Sequence, residues 1–324
     1  MPDTELTVAV TGPTGDIGRA LLRALDRTRA VERVLGMARR PFDPGEMGLR
    51  KTEYRQGDIL DRGAVDALFA DADVIVHLAF IIVGGQDETR SVNLEGSRTV
   101  FEAAAAAPGA RRLIYTSSVA AYGFHPDNPQ PLTEDVPVRG TDAFYYSAQK
   151  AELEETLREA VRGASLDTYV FRPCIVAGED ALMLVENLPW PVRRAPLPVL
   201  PDPGTPFQLV HHDDVASALA AAVRGAGPAG VYNLAGPGEV TVADLAGAFG
   251  WRSVPIPHAA VKAGALGINA LPLAPARVKW INAMRVPVIM DTSRARRELR
   301  WRPKNSAAEV LSATADSARE RGLI

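Results

Sequence analysis

Short apolar runs alternate with longer stretches of helical periodicity through the first half of this 324-residue chain. Leu6 to Thr11 reads as a buried strand, and apolar residues recur at helical spacing from Ile17 to Leu25. Val34 to Ala38 and Thr52 to Gln56 are the next strands, followed by a helix over Arg62 to Phe69. Val74 to Leu78 (VIVHL) predicts a strongly apolar strand, Arg90 to Ala107 a long helix and Arg112 to Ser117 another strand. A helix over Tyr146 to Arg162 and a strand over Asp167 to Arg172 close the series. Such an alternation predicts an α/β fold, a doubly wound parallel sheet with helices on both faces.

After Pro173 the pattern changes. Seven prolines from Pro189 to Pro206 exclude a regular helix there, and helical periodicity returns only over Asp213 to Val223. A strand-like GVYNLAG and a helix near Val242 to Phe249 follow. The expected division is a doubly wound domain over 1–173, which also receives 207–226, and a smaller mixed region from 174–206 and 227–324.

Composition narrows the function. Thirty-six basic against 39 acidic residues leave a net charge of −3, without the basic excess of a nucleic-acid binder. The longest weakly charged stretch, Ala263 to Ala276, is shorter than a membrane helix and broken by Pro272 and Pro275. No basic leader precedes the first strand, and the single cysteine, Cys174, has no internal partner for a disulfide, so a cytoplasmic protein is expected. Lysine is scarce: only five of the 36 cations.

The first strand runs directly into TGPTGDIG, Thr11 to Gly18, with a helix beginning behind it. Gly12 suits a sharp turn, Gly15 a close approach of backbone to a pyrophosphate, and Gly18 tight packing of helix on sheet, while the helix N-terminus offers free N–H groups. The implied ligand is a dinucleotide. At the end of the second strand, where an NAD enzyme usually carries a carboxylate, the chain reads GMARR; Arg39 or Arg40 suits a 2′-phosphate and favours NADP over NAD.

Tyr146 and Lys150 stand four apart in FYYSAQK and therefore share a helix face. An ammonium beside a phenol favours the phenolate and so fits the phenol for proton transfer near neutrality. Tyr145 is a decoy, because four residues beyond it stands the uncharged Gln149. Ser117 and Ser118 end a central strand, at the edge where α/β proteins place their chemistry.

Together the glycine turn, SSVAAYG (Ser117 to Gly123) and the Tyr-x-x-x-Lys helix resemble the extended short-chain dehydrogenase/reductase family, the NAD-dependent epimerases and dehydratases. HLA at His77 to Ala79, Asn93 in NLEGS, RP at Arg172 and Pro173, VHHDDVA at Val210 to Ala216, VYNLAGPGEVTVADLA and RRELRWRP extend the resemblance over nearly the whole chain. The resemblance implies a Rossmann domain, a small-molecule substrate, a homodimer, and Ser118, Tyr146 and Lys150 as catalytic residues. By the same resemblance the cofactor is held by Gly12, Thr14, Gly15, Asp16, Ile17 and Gly18, by Asp58 and Ile59, by Leu78, Ala79 and Pro173, and by Tyr146 and Lys150.

The chain also departs from the family. Nucleotide-sugar members carry an arginine where Phe207 stands, and an asparagine in the neighbourhood of Ile175, so a less charged substrate is expected, although Arg193 and Arg194 offer charge nearby. No carboxylates follow Thr116, which disfavours sugar dehydration. His211, His212, Asp213 and Asp214 suggest a metal, but ligands so adjacent should diverge at a strand-to-helix junction, with Asp213 or Asp214 as N-cap, and no metal is expected. His77 and Cys174 read as core residues; Phe80, Ile81 and Ile82 read as packing or an apolar wall. Three functions stay open: an NAD(P)-dependent oxidoreductase acting on a ketone or secondary alcohol, a nucleotide-sugar epimerase using the same residues, and a non-catalytic dinucleotide-binding regulator.

Overall fold

The computed structural model describes residues 5–82, 89–142, 144–186, 197–199, 204–255 and 286–324. Its centre is a seven-stranded parallel sheet formed by β1 (Leu6–Thr11), β2 (Val31–Ala38), β3 (Thr52–Gln56), β4 (Val74–His77), β5 (Arg112–Thr116), β6 (Asp167–Pro173) and a late strand at Gly230–Leu234. From the late strand the order runs through β6, β5, β4 and β1 to β2 and β3, so the winding reverses between β1 and β4. A crevice at the carboxyl ends of the strands follows from that reversal.

Helices on both faces explain why the central strands β1 and β4 are apolar almost throughout rather than alternating, while the edge strand β3 (TEYRQ) is not. Val8, Ala9, Val10, Val74, Ile75 and Val76 are fully buried. On one face α1 (Asp16–Asp26) packs with Leu21, Leu22 and Leu25 completely inside, each contributing about 2 kcal/mol of apolar burial. The other face is covered by α2 (Arg62–Phe69), α3 (Ser97–Ala106) and α4 (Tyr145–Ala160). Asp61 caps α2 by accepting the backbone N–H groups of Gly63 and Ala64.

Most predicted elements fall within a few residues of the observed ones, with three differences. The stretch read as one helix from Arg90 begins with a π-helical turn over Ser91–Gly96 before α3. The strand at Gly230–Leu234, expected in the second region, pairs with β6 and completes the main sheet. The short strands β7 (Ile175–Ala177) and β9 (Leu209–His211) pair in parallel beside it, and α6 (His212–Val223) returns to pack on α1.

In chain order, the remaining described elements are α5 (Met183–Glu186), β8 (Leu197–Val199), the late sheet strand, now β10, α7 (Val242–Ala248), β11 (Ser253–Pro255), α8 (Ser293–Glu298) and α9 (Ala307–Glu320). A third apolar cluster joins α7 and α9 through Leu245, Phe249, Val310 and Leu311. Most of the proline-rich stretch, with Arg193 and Arg194, lies outside the described residues. Among the described residues, no helix is long and apolar enough to cross a membrane.

Candidate active site

Because the sheet is parallel, the segments following its strands gather at one edge. Gly12 follows β1, Arg39 and Arg40 follow β2, Asp58 follows β3, Leu78 and Ala79 follow β4, Ser118 follows β5, and Pro173 ends β6 opposite Leu234. The sequence-predicted residues thus converge on the crevice, although they are spread over more than 150 positions.

The glycines of the first turn divide their work. Gly12 has φ +75°, and a Cβ there would lie 2.6 Å from the backbone nitrogen of Ala79, so the turn seats directly against the end of β4. A Cβ on Gly18 would meet the Gly12 carbonyl at 2.4 Å. Gly15 is different: its Cβ would find only Gly12 O, at an ordinary 3.7 Å. The fold does not need a glycine at 15, but a ligand approaching the N-terminus of α1 does. Gly15 is also the N-cap of that helix and supplies no side-chain acceptor, which suits an incoming anion. These features fit a dinucleotide pyrophosphate.

Arg39 and Arg40 are both exposed and make no ion pair among the described residues. Their backbone carbonyls are held instead, Arg39 O accepting from the Gln56 side chain at 2.8 Å and Arg40 O from the Tyr54 hydroxyl. The guanidinium groups remain available at the end of β2. Asp58 turns its carboxylate back to accept the Leu60 N–H at 3.1 Å, and Ile59 is buried.

Ser118, Tyr146 and Lys150 come together. Lys150 is only 4% exposed, and its ammonium donates to Thr116 O at 3.0 Å and reaches the Tyr115 hydroxyl at 3.5 Å. Burial pulls its pKa down to about 7, against the opposing field of Glu154 one helical turn further on. The Tyr146 phenol is pushed upward by burial, while the neighbouring Ser118 hydroxyl works in the opposite direction. Ser118 accepts the Ala120 N–H at 3.1 Å as cap of a short 3-10 turn, which leaves its own proton free to donate. The Phe80 ring lies 3.9 Å below the Lys150 nitrogen and stands edge-to-face with Tyr146, at a centroid distance of 5.5 Å.

The neighbouring residues have other occupations. Tyr145 donates to Ile82 O at 2.6 Å, and Gln149 accepts from Asn93 at 2.9 Å, so the decoy pair fastens the loop after β4 to α4. Ser117 donates to Glu154 at 2.6 Å, and Glu154 takes two bonds from Arg172, at 2.9 and 2.5 Å. Sequence reading missed this buried network; its only linear signal is Glu154 standing four residues after Lys150. His77 bridges Thr11 and Ser97, and burial lowers its pKa to about 3, so it is a neutral core residue. Cys174 is buried and its thiol is pushed upward for the same reason.

The histidine pair needs correction. His211 and His212 do not diverge: their rings stack at 4.2 Å, and with Glu179 they offer ligand atoms within 4.8 Å of one another. The cause is the β7–β9 pairing, which sets His211 opposite Ala177 and brings both rings over the segment that follows. Neither aspartate is the N-cap of α6. His211 Nδ1 takes that place by accepting the Asp213 N–H at 3.2 Å, so its Nε2 carries the ring proton and donates to Glu179 at 2.8 Å. Asp214 instead accepts the backbone N–H groups of Lys304 and Asn305.

A doubly wound parallel sheet with a glycine turn leading into its first helix defines a Rossmann-type protein. The chain belongs to the NAD dependent epimerase/dehydratase family, whose model matches residues 8–235. An uncharacterised protein, y4nG, of Sinorhizobium fredii is 30% identical over 323 residues, covering 95% of this chain and 77% of that protein. Sterol demethylase protein B of Methylococcus capsulatus is 32% identical over 179 residues, which span 53% of this chain and 52% of the relative. Among solved structures, DesIV, a dTDP-glucose 4,6-dehydratase of Streptomyces venezuelae with NAD and TYD bound, superposes with a TM-score of 0.74 at 23% identity, over 98% of both chains.

Proposed function

We propose that this protein is a nicotinamide-dependent oxidoreductase that interconverts a ketone and a secondary alcohol through Ser118, Tyr146 and Lys150. The observation that carries the reading is the buried Lys150 ammonium, which among the described residues has a carbonyl, a phenol and aromatic faces at its head and shares a helix face with Tyr146. A lysine without a carboxylate at its head suits ribose hydroxyls above and a phenolate beside it. Bound at this edge, the dinucleotide supplies the hydride donor or acceptor.

Tyr146 exchanges the proton with the substrate oxygen. In the reducing direction its phenol donates; in the oxidising direction its phenolate accepts, stabilised by Lys150. Ser118, with its Oγ already occupied by the Ala120 N–H, directs its proton at the same oxygen and offsets charge as it develops. Arg39 and Arg40, exposed at the end of β2 and without an ion pair among the described residues, support NADP as the preferred cofactor.

The substrate reading favours a molecule less charged than a nucleotide sugar. Phe207 and Ile175, which stand in place of polar anchors, pack against the third apolar cluster. The partial similarity to a sterol demethylase component points in the same direction. The test follows cofactor absorbance with NADPH or NADH against a panel of apolar ketones, and in reverse with the alcohols. Net cofactor turnover is expected, with Tyr146→Phe keeping cofactor affinity and losing about 10²-fold or more in kcat. Interconversion of nucleotide-sugar epimers without net absorbance change would replace this reading with an epimerase. Calorimetry giving tighter NAD than NADP would remove the role of Arg39 and Arg40.

A further inference from the structure

We propose that Phe80 is a positioning residue for Lys150: its ring face holds the ammonium charged inside the site, while its edge fixes the Tyr146 ring. The proposal rests on the function assigned above, in which Lys150 must carry its charge beside Tyr146. Three observations support it. The Lys150 nitrogen sits 3.9 Å from the Phe80 centroid, well inside the range of a cation–π contact, with the Tyr115 ring more distant at 5.2 Å. The Phe80 and Tyr146 rings stand at 90° with centroids 5.5 Å apart, so one aromatic residue touches both members of the pair. Finally, the loop that carries Phe80 is fixed, since the Asn93 amide accepts the Ile81 N–H at 2.8 Å and donates to Ile81 O at 2.9 Å.

The physical need is clear from what else surrounds the ammonium. On α4, Glu154 acts from one turn away but is already occupied by Arg172 of β6 and by Ser117. On β5, Tyr115 offers a neutral phenol and Thr116 one carbonyl. On β4, His77 is neutral and offers no counter-charge. Burial alone pushes Lys150 toward the uncharged amine, in which state it no longer favours the Tyr146 phenolate. Among the described residues the Phe80 ring is the nearer of the two aromatic faces that offer negative potential to the ammonium, and desolvation strengthens such a contact.

Phe80→Leu keeps the site apolar but removes the ring face, so it separates the quadrupole from burial. The measurement is direct, because the chain has five lysines and 13C-labelled lysine gives five resolvable ε-methylene signals, with Lys150 assigned by Lys150→Arg. In wild-type enzyme free of cofactor, the Lys150 signal is expected to show the upfield displacement of a group over an aromatic face. In Phe80→Leu that displacement disappears and the Lys150 pKa falls by about one unit, while Phe80→Tyr restores both. Phe80→Met is the second non-aromatic variant, should leucine disturb folding.

An unchanged Lys150 pKa in both non-aromatic variants overturns the proposal, as does a Phe80→Tyr protein that titrates like Phe80→Leu. The alcohol-oxidation profile of kcat is the functional readout, with a lower plateau in Phe80→Leu and recovery in Phe80→Tyr. The two readings fail separately. If Lys150 titrates as stated and wild type turns over no ketone or alcohol, the proposed function falls and the Phe80 contact stands. If wild type turns over and the titrations coincide, only the Phe80 role falls.

Discussion

Glu154→Gln removes one negative charge from the interior while leaving the side chain's shape intact. Glu154 and Arg172 expose 4% and 5% of their side chains and meet through two bonds, at 2.9 and 2.5 Å. Beyond that carboxylate, among the described residues the guanidinium meets Tyr122, its ring face 4.5 Å away, and its Nη1 lacks a hydrogen-bond partner. Glutamine therefore strands a buried cation, and breaking such a pair costs about 3–5 kcal/mol. At about 2 °C per kcal/mol for a chain of this length, Tm is expected to fall by roughly 6–10 °C in scanning calorimetry. The double variant Glu154→Leu with Arg172→Met removes both charges and should recover most of the loss, since the desolvation cost disappears with the attraction. A single variant melting within about 2 °C of wild type, or a double variant as unstable as the single, would refute the reasoning. Glu154→Gln should also lower the Lys150 pKa, because the glutamate's field raises it.

Other expectations follow from the same geometry. Gly12→Ala places a Cβ 2.6 Å from Ala79 N at φ +75° and should cost about 2–4 kcal/mol in urea unfolding, whereas Gly15→Ala should change stability by less than about 1 kcal/mol yet weaken dinucleotide binding in calorimetry. Equal effects at both positions would contradict the division of work within the turn. Ser118→Ala should lower kcat by about 10²-fold with cofactor affinity retained, and a loss confined to KM would assign Ser118 to binding alone. Burial sets Lys150 near pH 7, so the ammonium gives up its proton as pH rises through that range, and reduction, which needs the Tyr146 phenol beside a charged lysine, should fall through it. A reduction rate that stays level across that range would exclude charged Lys150 from the proton transfer.

Much of the main sheet was legible because strands buried on both faces are apolar without interruption, and their helices repeat at 3.6. Tyr146 and Lys150 could be selected from FYYSAQK because a helix turns spacing directly into a shared face. The π-helical turn at Ser91–Gly96 was not legible, since one extra residue in a turn leaves no distinct apolar period. Phe80 against Lys150 and Glu154 against Arg172 join residues from different elements, and no linear pattern encodes such meetings. The histidine junction misled for a related reason: divergence of adjacent side chains is a rule within one element, and His211 and His212 belong to two.

The fastening of the loop after β4 bears on how portable this site is. Two pairs of residues, 145 with 149 and 146 with 150, run along α4 one position out of phase, the first tied to the loop and the second turned to the crevice. A helix advances about 100° per residue, so the two faces are neighbours that cannot be adjusted separately. Inserting one residue just before Tyr145 would advance the pattern by one position and exchange their duties, presenting Tyr145 to the crevice and leaving the loop untied. The smallest transferable unit is therefore not the Tyr-x-x-x-Lys helix. It includes Asn93, 56 residues upstream, whose single amide ties the loop to the helix. A graft that moved the helix alone would carry the reactive groups and leave behind the part that tells them where to stand.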